Sequence, residues 1–411
     1  MKRRSWPRAL RSLEHRNYRL FITGHAVSTI GTWMQRVAQD WLVYELTGSA
    51  LDVGIAAALQ FLPVLFFGLW GGAVVDRLDR RRVIMLTQVF SMILAGALAA
   101  VVLAGAVQMW IVFAFSLALG FVTVFDNPAR NAFVAEVTRP QDYVNAQALA
   151  STAHNLGRLV GPAVAGLLIA SVGSGWAFAV NALSFIPVLW GLALIRPDTV
   201  DVSRRDRKRG SVLEGLAYVF SHPELRACMI LVTVVALFGQ NFRAVLPVLA
   251  SETFHGDAQT YGWLTSALGV GAVIGALITG ATERVTGWRL LLAGFGFAFT
   301  NAMIAVSPWL WLALSTVMFM GVANLMFNTL TRTLLQLRTE PTMHGRVMAL
   351  HGLVFLGTTP IGMPLLGWIC DQWGPQAGLW VASLTVLAAA VAVTPILHRL
   401  RGSHDDGLQG V

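Results

Sequence analysis

Five side chains recur every three or four residues in the first apolar stretch of the chain: His25, Thr29, Thr32, Arg36 and Asp40, flanked by Ser28, Gln35 and Gln39. That spacing puts them on one face of a helix. Arg36 and Asp40 are four apart and can pair along it. A carboxylate in such a setting can bind and release a proton, or stay as a fixed counter-ion to the arginine, and both readings remain open. A second stripe runs through Gln147, Ser151, His154 or Asn155, and Arg158. Gln240, Asn241 and Arg243 form a third polar group, and Asn324, Asn328 and Arg332 a fourth. Asp126 is the other carboxylate inside an apolar stretch. His25, His154 and His351 could titrate near neutrality, although a hydrogen-bonded interior histidine is the simpler reading of each.

The elements that must hold these groups follow from composition. The chain has 411 residues, of which 55% are hydrophobic and 12% charged. A soluble domain carries about 25% charged residues, and a disordered chain is rich in charge and poor in apolar residues. Both classes are excluded, and a chain solvated mostly by lipid remains. About 20 apolar residues make one helical crossing. Twelve spans are expected, near 18–46, 51–75, 83–105, 108–130, 143–170, 175–195, 226–251, 258–282, 289–306, 308–332, 345–370 and 376–397. Runs such as Val83 to Leu103 are apolar throughout, without the alternation of a β-barrel strand. The first twenty residues have no apolar core of a cleavable signal, so the first span is expected to be retained. Cys228 and Cys370 fall near opposite faces of the membrane, which makes a disulfide between them implausible.

The net charge is +9, yet its placement argues against nucleic acid. All but three of the 30 Lys and Arg lie in the two tails or in alternate loops; the exceptions are Arg36, Arg158 and Arg243. This is the positive-inside pattern. It puts both termini in the cytosol, as an even number of spans also requires. A polar linker at 196–225, expected to include an amphipathic helix, divides the chain into six-helix bundles at 1–195 and 226–411. The halves show a weak repeat at an offset of 201–208 residues: Gly48 and Gly54 against Gly256 and Gly262, Arg130 and Pro140 against Arg332 and Pro341, and Asp76-Arg77 against Glu283-Arg284. Duplicated bundles around a central cavity suit secondary transporters.

Three motifs carry a family resemblance that covers nearly the whole chain. The loop Gly72-Ala-Val-Val-Asp76-Arg77-Leu-Asp79-Arg80-Arg81-Arg82 resembles the G-x-x-x-D-R-x-G-R-R signature of the major facilitator superfamily, with Asp79 where glycine is usual. Asp tolerates a left-handed backbone better than most residues, so a tight turn is expected there. Gly157-x-x-x-Gly161-Pro162-x-x-Ala165-Gly166 is similar to the antiporter motif, with Ala165 for one glycine. The stretches Gly31 to Val43, Asn127-Pro-Ala-Arg130 to Glu136, and Glu214 to Arg226 resemble the drug and siderophore exporter subfamily, which contains enterobactin and macrolide exporters.

The resemblance implies an all-α membrane protein of two pseudo-symmetric six-helix bundles, exporting small molecules by proton antiport with alternating access. It implies a gate made by Gly72, Asp76, Arg77, Arg80 and Arg81 with Asp126 and Arg130, in which Asp126 meets Arg77 or Arg80. Coupling at Asp126, or plain solvation of a helix end, stays open. Asp40, with Arg36, is the expected coupling site. The cavity is expected to draw on His25, Thr32, Gln35, Gln39, His154, Asn155, Arg158, Gln240, Asn241, Arg243, Asn324 and Asn328. Gly157, Gly161, Pro162 and Gly166 are read first as packing residues, because small residues let helices approach closely.

Arg36, Arg158 and Arg243 against one acid near mid-depth suggest an anionic substrate; their pairing with Asp40 and backbone carbonyls is the alternative. An importer or a lysophospholipid flippase of the same fold is the rival function. No phosphate-binding loop, H-E-x-x-H or G-x-S-x-G is present, so no enzyme, cofactor or metal is expected. The partners expected are substrate, proton and membrane lipid, with no nucleic acid. A monomer in the inner membrane is the expected state.

Overall fold

The computed structural model describes residues 8–195, 212–281 and 285–399. Most of the basic tails, the linker from 196 to 211 and the turn at Glu283-Arg284 lie outside the described residues. Among those described there are helices and no strands.

The α-helices are α1 (Arg16–Thr47), α2 (Ala50–Val75), α3 (Arg80–Leu103), α4 (Met109–Glu136), α5 (Tyr143–Val172), α6 (Ser174–Leu194), α7 (Val212–Ser221), α8 (Pro223–Val234), α9 (Phe242–Val248), α10 (Ala258–Gly280), α11 (Gly287–Ala305), α12 (Leu310–Arg338), α13 (His344–Gly357), α14 (Thr359–Trp373) and α15 (Pro375–Arg399). Among the described residues, eleven helical segments are long and apolar enough to cross a membrane. The twelfth, α1, has 32 residues, enough length at about 1.5 Å per residue, but its polar stripe keeps it out of that set. Such a stripe survives in lipid only when turned toward protein or a water-filled cavity.

Two helices run further than their apolar content suggests. The fourth and tenth spans are expected to end at 130 and 332; α4 reaches Glu136 and α12 reaches Arg338. Both continue as amphipathic turns that bury one face, Phe133 and Val134 in α4 and Leu334 and Leu335 in α12. Arg130 and Arg332 are therefore helix residues, not loop residues. The seventh span is broken. Between α8 and α9 the backbone passes through a π-helical turn, Val235–Gly239, and a second such turn, Leu249–Thr253, ends it. Asn241 repairs the break by donating its amide to the carbonyls of Leu237 (2.6 Å) and Ala236 (3.4 Å). Side-chain repair of this kind is what lets a broken helix persist in lipid.

The chain gathers into two compact units. One contains the described residues of Met1–Leu46, Leu59–Asp206 and Asp257–Ser266; the other contains those of Thr47–Ala58, Arg207–Gly256 and Ala267–Val411. The division does not follow the linker throughout, because the first turns of α2 and α10 are grouped with the opposite half. Within unit 1, α3 packs along α6, and Tyr18, Phe21, Ile84, Phe133, Phe185 and Leu192 form a core. Within unit 2, α11 packs along α15 in the matching arrangement. The described turns preceding the two halves are also tied down alike. A 3₁₀ helix, Arg8–Glu14, leads into α1, where Arg11 and His15 reach Asp142 at 3.2 and 2.8 Å. In unit 2, Glu214 of α7 pairs with Arg346 (2.9 Å) and Glu224 of α8 with Arg338 (3.1 Å). Cys228 and Cys370 are both buried free thiols.

The crossing of α10 and α12 in unit 2 leaves no room for a side chain. A Cβ on Gly271 would lie 1.8 Å from the Met318 carbonyl oxygen, whereas one on Gly352 meets nothing within 4 Å. Gly271→Ala is therefore expected to destabilise the protein by about 1–3 kcal/mol, and Gly352→Ala to be neutral or slightly stabilising. Thermal unfolding of the two variants in detergent checks this.

Candidate functional site

A cavity of about 430 Å³ lies inside unit 1, lined from α1 to α6. Its floor is a chain of charged and polar groups. Asp126 of α4 accepts at Oδ1 from Thr87 Oγ1 (2.6 Å) and Gln88 Nε2 (2.9 Å), and at Oδ2 from Arg130 Nε one turn further on (2.5 Å). Arg130 also donates through Nη1 to Nδ1 of His25, whose ring stacks on Phe21. Arg130 thus joins the carboxylate of α4 to the imidazole of α1. Charge-assisted bonds of this kind are about twice as strong as neutral ones, which fixes both groups at the cavity wall.

A second feature is built on Trp33, which also lines the cavity. Its indole carries the guanidinium of Arg36 at 4.7 Å and that of Arg158 at 5.9 Å from the ring centroid. The edge of His154 meets the same ring at 5.5 Å. Cation–π attraction grows as the ion loses water, and one aromatic ring steadies two half-buried arginines. Among the described residues no carboxylate lies within ion-pairing distance of Arg158. The antiporter-motif glycines make the seat for this ring. A Cβ on Gly161 would lie 2.6 Å from Trp33 Cβ, and one on Gly157 would lie 2.7 Å from Thr29 Cγ2 and 3.0 Å from Trp33 Cδ1. Gly166, further along α5, has the Ala258 carbonyl oxygen at 3.0 Å in place of a side chain, and Pro162 is buried beside it.

The other sequence candidates divide by location. His25, Thr32, Gln35, Arg36 and His154 line the cavity; Asn155 and Arg158 do not themselves line it. Gln35 accepts from the Asn181 amide and Gln39 donates to Ser116 Oγ (2.7 Å), so both link helices inside the unit. Asp40 is 1% exposed and lies away from the cavity; its Oδ2 accepts from Tyr261 Oη at 3.0 Å, and Trp41 stacks on the same tyrosine. Unit 2 holds the rest. Gln240 donates to Asn328 (3.2 Å), and Asn328 donates to the Asn324 carbonyl (2.9 Å). Arg243 is half-buried, and Asn241 is committed to the helix break.

The charged loop after α2 differs from its expected wiring. Asp126 meets Arg130, not Arg77 or Arg80, because α4 stays helical past residue 126 and puts an arginine one turn away. Arg80 pairs instead with Glu136. Arg81 donates to the carbonyls of Leu192 (2.8 Å) and Ala193 (3.0 Å), closing the C-terminal end of α6. Asp79 is not in a left-handed turn: at φ −66° and ψ 108° it is the N-cap of α3 and accepts from the Arg82 N–H. That explains an aspartate there, since caps favour short polar side chains. Asp76 and Arg77 are exposed, and Gly72 has open space where a Cβ would go; its neighbour Gly71 is the one packed, against Val124. Sequence reasoning missed Gln60, Thr87, Gln88, Ser91, Asn131 and Asn181. For Gln60, Thr87, Gln88, Ser91 and Asn181 the available signal was a polar residue inside an apolar span, which must find protein or water; Asn131 fell beyond the expected end of the fourth span.

The profile of the transmembrane secretion effectors, within the major facilitator superfamily, matches residues 8–406. The chain belongs to this family. The multidrug efflux pump Tap of Mycolicibacterium fortuitum is 28% identical over 383 residues, covering 90% of this chain and 93% of that protein. The enterobactin exporter EntS of Shigella boydii is 25% identical over 409 residues, covering 98% and 97%. Among solved structures, the nucleoside transporter NupG superposes with a TM-score of 0.75 at 13% identity, covering 92% of this chain and 98% of the other. That likeness establishes the shared fold. The secretion effector is thus a multi-pass membrane transporter and not an enzyme, with relatives that export drugs and siderophores.

The rewired loop yields a direct check. Arg80 and Glu136 are part-exposed, so their coupling in a double-mutant cycle is expected at about 0.5–1 kcal/mol. The reversal Arg80→Glu with Glu136→Arg is expected to recover stability lost in each single variant. Pairing Arg80→Asp with Asp126→Arg is expected to recover none. Unfolding of the purified variants in one detergent measures both.

Proposed function

We propose that this secretion effector exports small anionic or amphipathic molecules across the inner membrane in exchange for protons, by alternating access, as a monomer with both termini in the cytosol. The observation that carries the reading is the cationic wall of the unit 1 cavity. Arg36 and Arg130 line it, Arg130 standing between Asp126 and His25, and Arg158, off the lining itself, shares the Trp33 ring with Arg36. An anionic group entering the cavity would meet half-buried guanidinium donors, where a charged pair is worth more than it is in bulk water. The positive-inside distribution of charge supports the orientation, and the names of the efflux relatives support the direction.

Asp40 is the carboxylate we assign to proton coupling. It is buried, and it holds Tyr261 in the first turns of α10, so its charge state bears directly on whether that helix start stays seated. A ligand or proton shifts such an equilibrium only through differential affinity for the two states. Arg36 stands one turn away on the same helix and is placed to respond. Asp126 has a different task, holding Arg130 at the cavity wall.

Flux in inverted vesicles tests the proposal, using carboxyfluorescein and rhodamine 6G as xanthene dyes of opposite charge. Uptake of carboxyfluorescein into the vesicle lumen, driven by an acidic lumen and faster than that of the cation, is the expected result. Preference for rhodamine 6G would overturn the anionic assignment. Flux in the opposite direction would indicate an importer, and movement of labelled lysophospholipid alone a flippase. Asp40→Asn is expected to abolish gradient-driven uptake while leaving folded, inserted protein; full retention of transport would remove Asp40 from the coupling role.

A further inference from the structure

The starts of α2 and α10 are seated alike. Residues 50–58 of α2 group with unit 2 and the rest of the helix with unit 1, while residues 258–266 of α10 group with unit 1 and the rest with unit 2. Each start lies against glycine. In unit 2, a Cβ on Gly54 would come within 2.5 Å of the Met363 carbonyl oxygen, and one on Gly367 within 2.4 Å of that of Ala50. In unit 1, a Cβ on Gly262 would come within 2.7 Å of the Pro162 oxygen, and one on Gly166 within 3.0 Å of that of Ala258. Gly54 and Gly262 are repeat partners by sequence.

The polar chemistry at the two seats differs. The first N–H groups of α10 are taken by its own Asp257, whose Oδ1 accepts from Gln259 (3.0 Å) and Thr260 (3.2 Å). Such a cap travels with its helix. In α2 the corresponding donors go to a different helix. The N–H of Ala50 donates to Asp371 Oδ1 at 2.6 Å and that of Leu51 to Oδ2 at 3.1 Å, and Ser49 Oγ donates to Oδ2 at 2.6 Å. Ser49 in turn accepts from the Asp52 N–H at 3.1 Å. Both carboxylate oxygens of α14 are therefore spent on the first turn of α2. A carboxylate is favoured at a helix N-terminus, and bonds to it are strong, but a cap borrowed from another helix is lost whenever the two helices part.

We propose that Asp371 is a positioning residue for transport: it holds the start of α2 in unit 2 in one access state and releases it in the other. This rests on the alternating-access reading above. Glu252, which ends the seventh span, puts a second negative charge near Asp371, a repulsion that the bonds to the start of α2 work against. The glycines supply the close fit, and Asp371 supplies the part of the hold that depends on distance within a few tenths of an ångström.

Two experiments test it, both in a chain carrying Cys228→Ala and Cys370→Ala. In the first, Val53→Cys reports the seating of α2, since Val53 is fully buried there. Labelling of intact cells with a membrane-impermeant maleimide is expected to speed up about tenfold in Asp371→Ala, the size of losing one charge-assisted bond, and by less in Asp371→Asn. Asp52→Asn is the control, expected to leave the rate unchanged. Equal rates in all variants would overturn the proposal. This readout needs no substrate, so its failure is distinct from failure of the export reading.

In the second, carboxyfluorescein transport is measured in the same chain with Val53 restored. Asp371→Ala is expected to lose about tenfold in rate, Asp371→Glu to recover part of it, and Asp52→Asn to transport normally. Undiminished transport by Asp371→Ala would show a static contact and would also overturn the proposal.

Discussion

Close approach of backbones at glycine is the constraint on which this protein is built. Lipid gives packed helices no hydrophobic reward for associating, so van der Waals fit and internal hydrogen bonds must do it. At Gly161 the fit lets α1 press Trp33 against α5, and at Gly54, Gly367, Gly262 and Gly166 it seats two helix starts. A single methyl group at any of these points would meet a neighbouring helix at less than or about 3 Å. Everything polar in the site depends on those approaches, because cation–π and hydrogen-bond geometry is lost over fractions of an ångström.

The cavity follows from the same economy of polar groups. Several are given tasks inside the unit: Gln39 reaches Ser116, Gln35 meets Asn181, and Asp126 accepts from Thr87, Gln88 and Arg130. What remains facing the cavity is the cationic surplus. Unit 2 spends its polar side chains differently, with Asn241 repairing a broken helix and Gln240, Asn328 and Asn324 bonding to one another. The duplicated halves therefore share packing while differing in chemistry. The same split recurs at the two helix starts, which have matching glycines and unmatched caps.

Much of the fold was legible from the sequence. Apolar runs of membrane length, the single stretch of linker charge and the repeat of Gly54 at Gly262 all act within short windows, where hydropathy and spacing are enough. The polar face of α1 was legible for the same reason. The errors came where local composition stops being a guide. Arg130 looked like a loop residue because charge ends an apolar run, yet α4 continues by burying Phe133 and Val134 on one side. Asp79 looked like a turn glycine replaced, yet it caps the next helix.

Sequence alone determined that this chain lives in a membrane, that its halves are related, and which polar residues must find protein partners, since these follow from the cost of moving charge and backbone into hydrocarbon. Tertiary structure decided who the partners are. Asp126 took Arg130 over Arg77 or Arg80, Arg158 took an indole, and the first turn of α2 took a carboxylate more than 300 residues away. No periodicity encodes such choices, because they depend on where separate helices come to lie in space, and that is settled by how closely their backbones can pack.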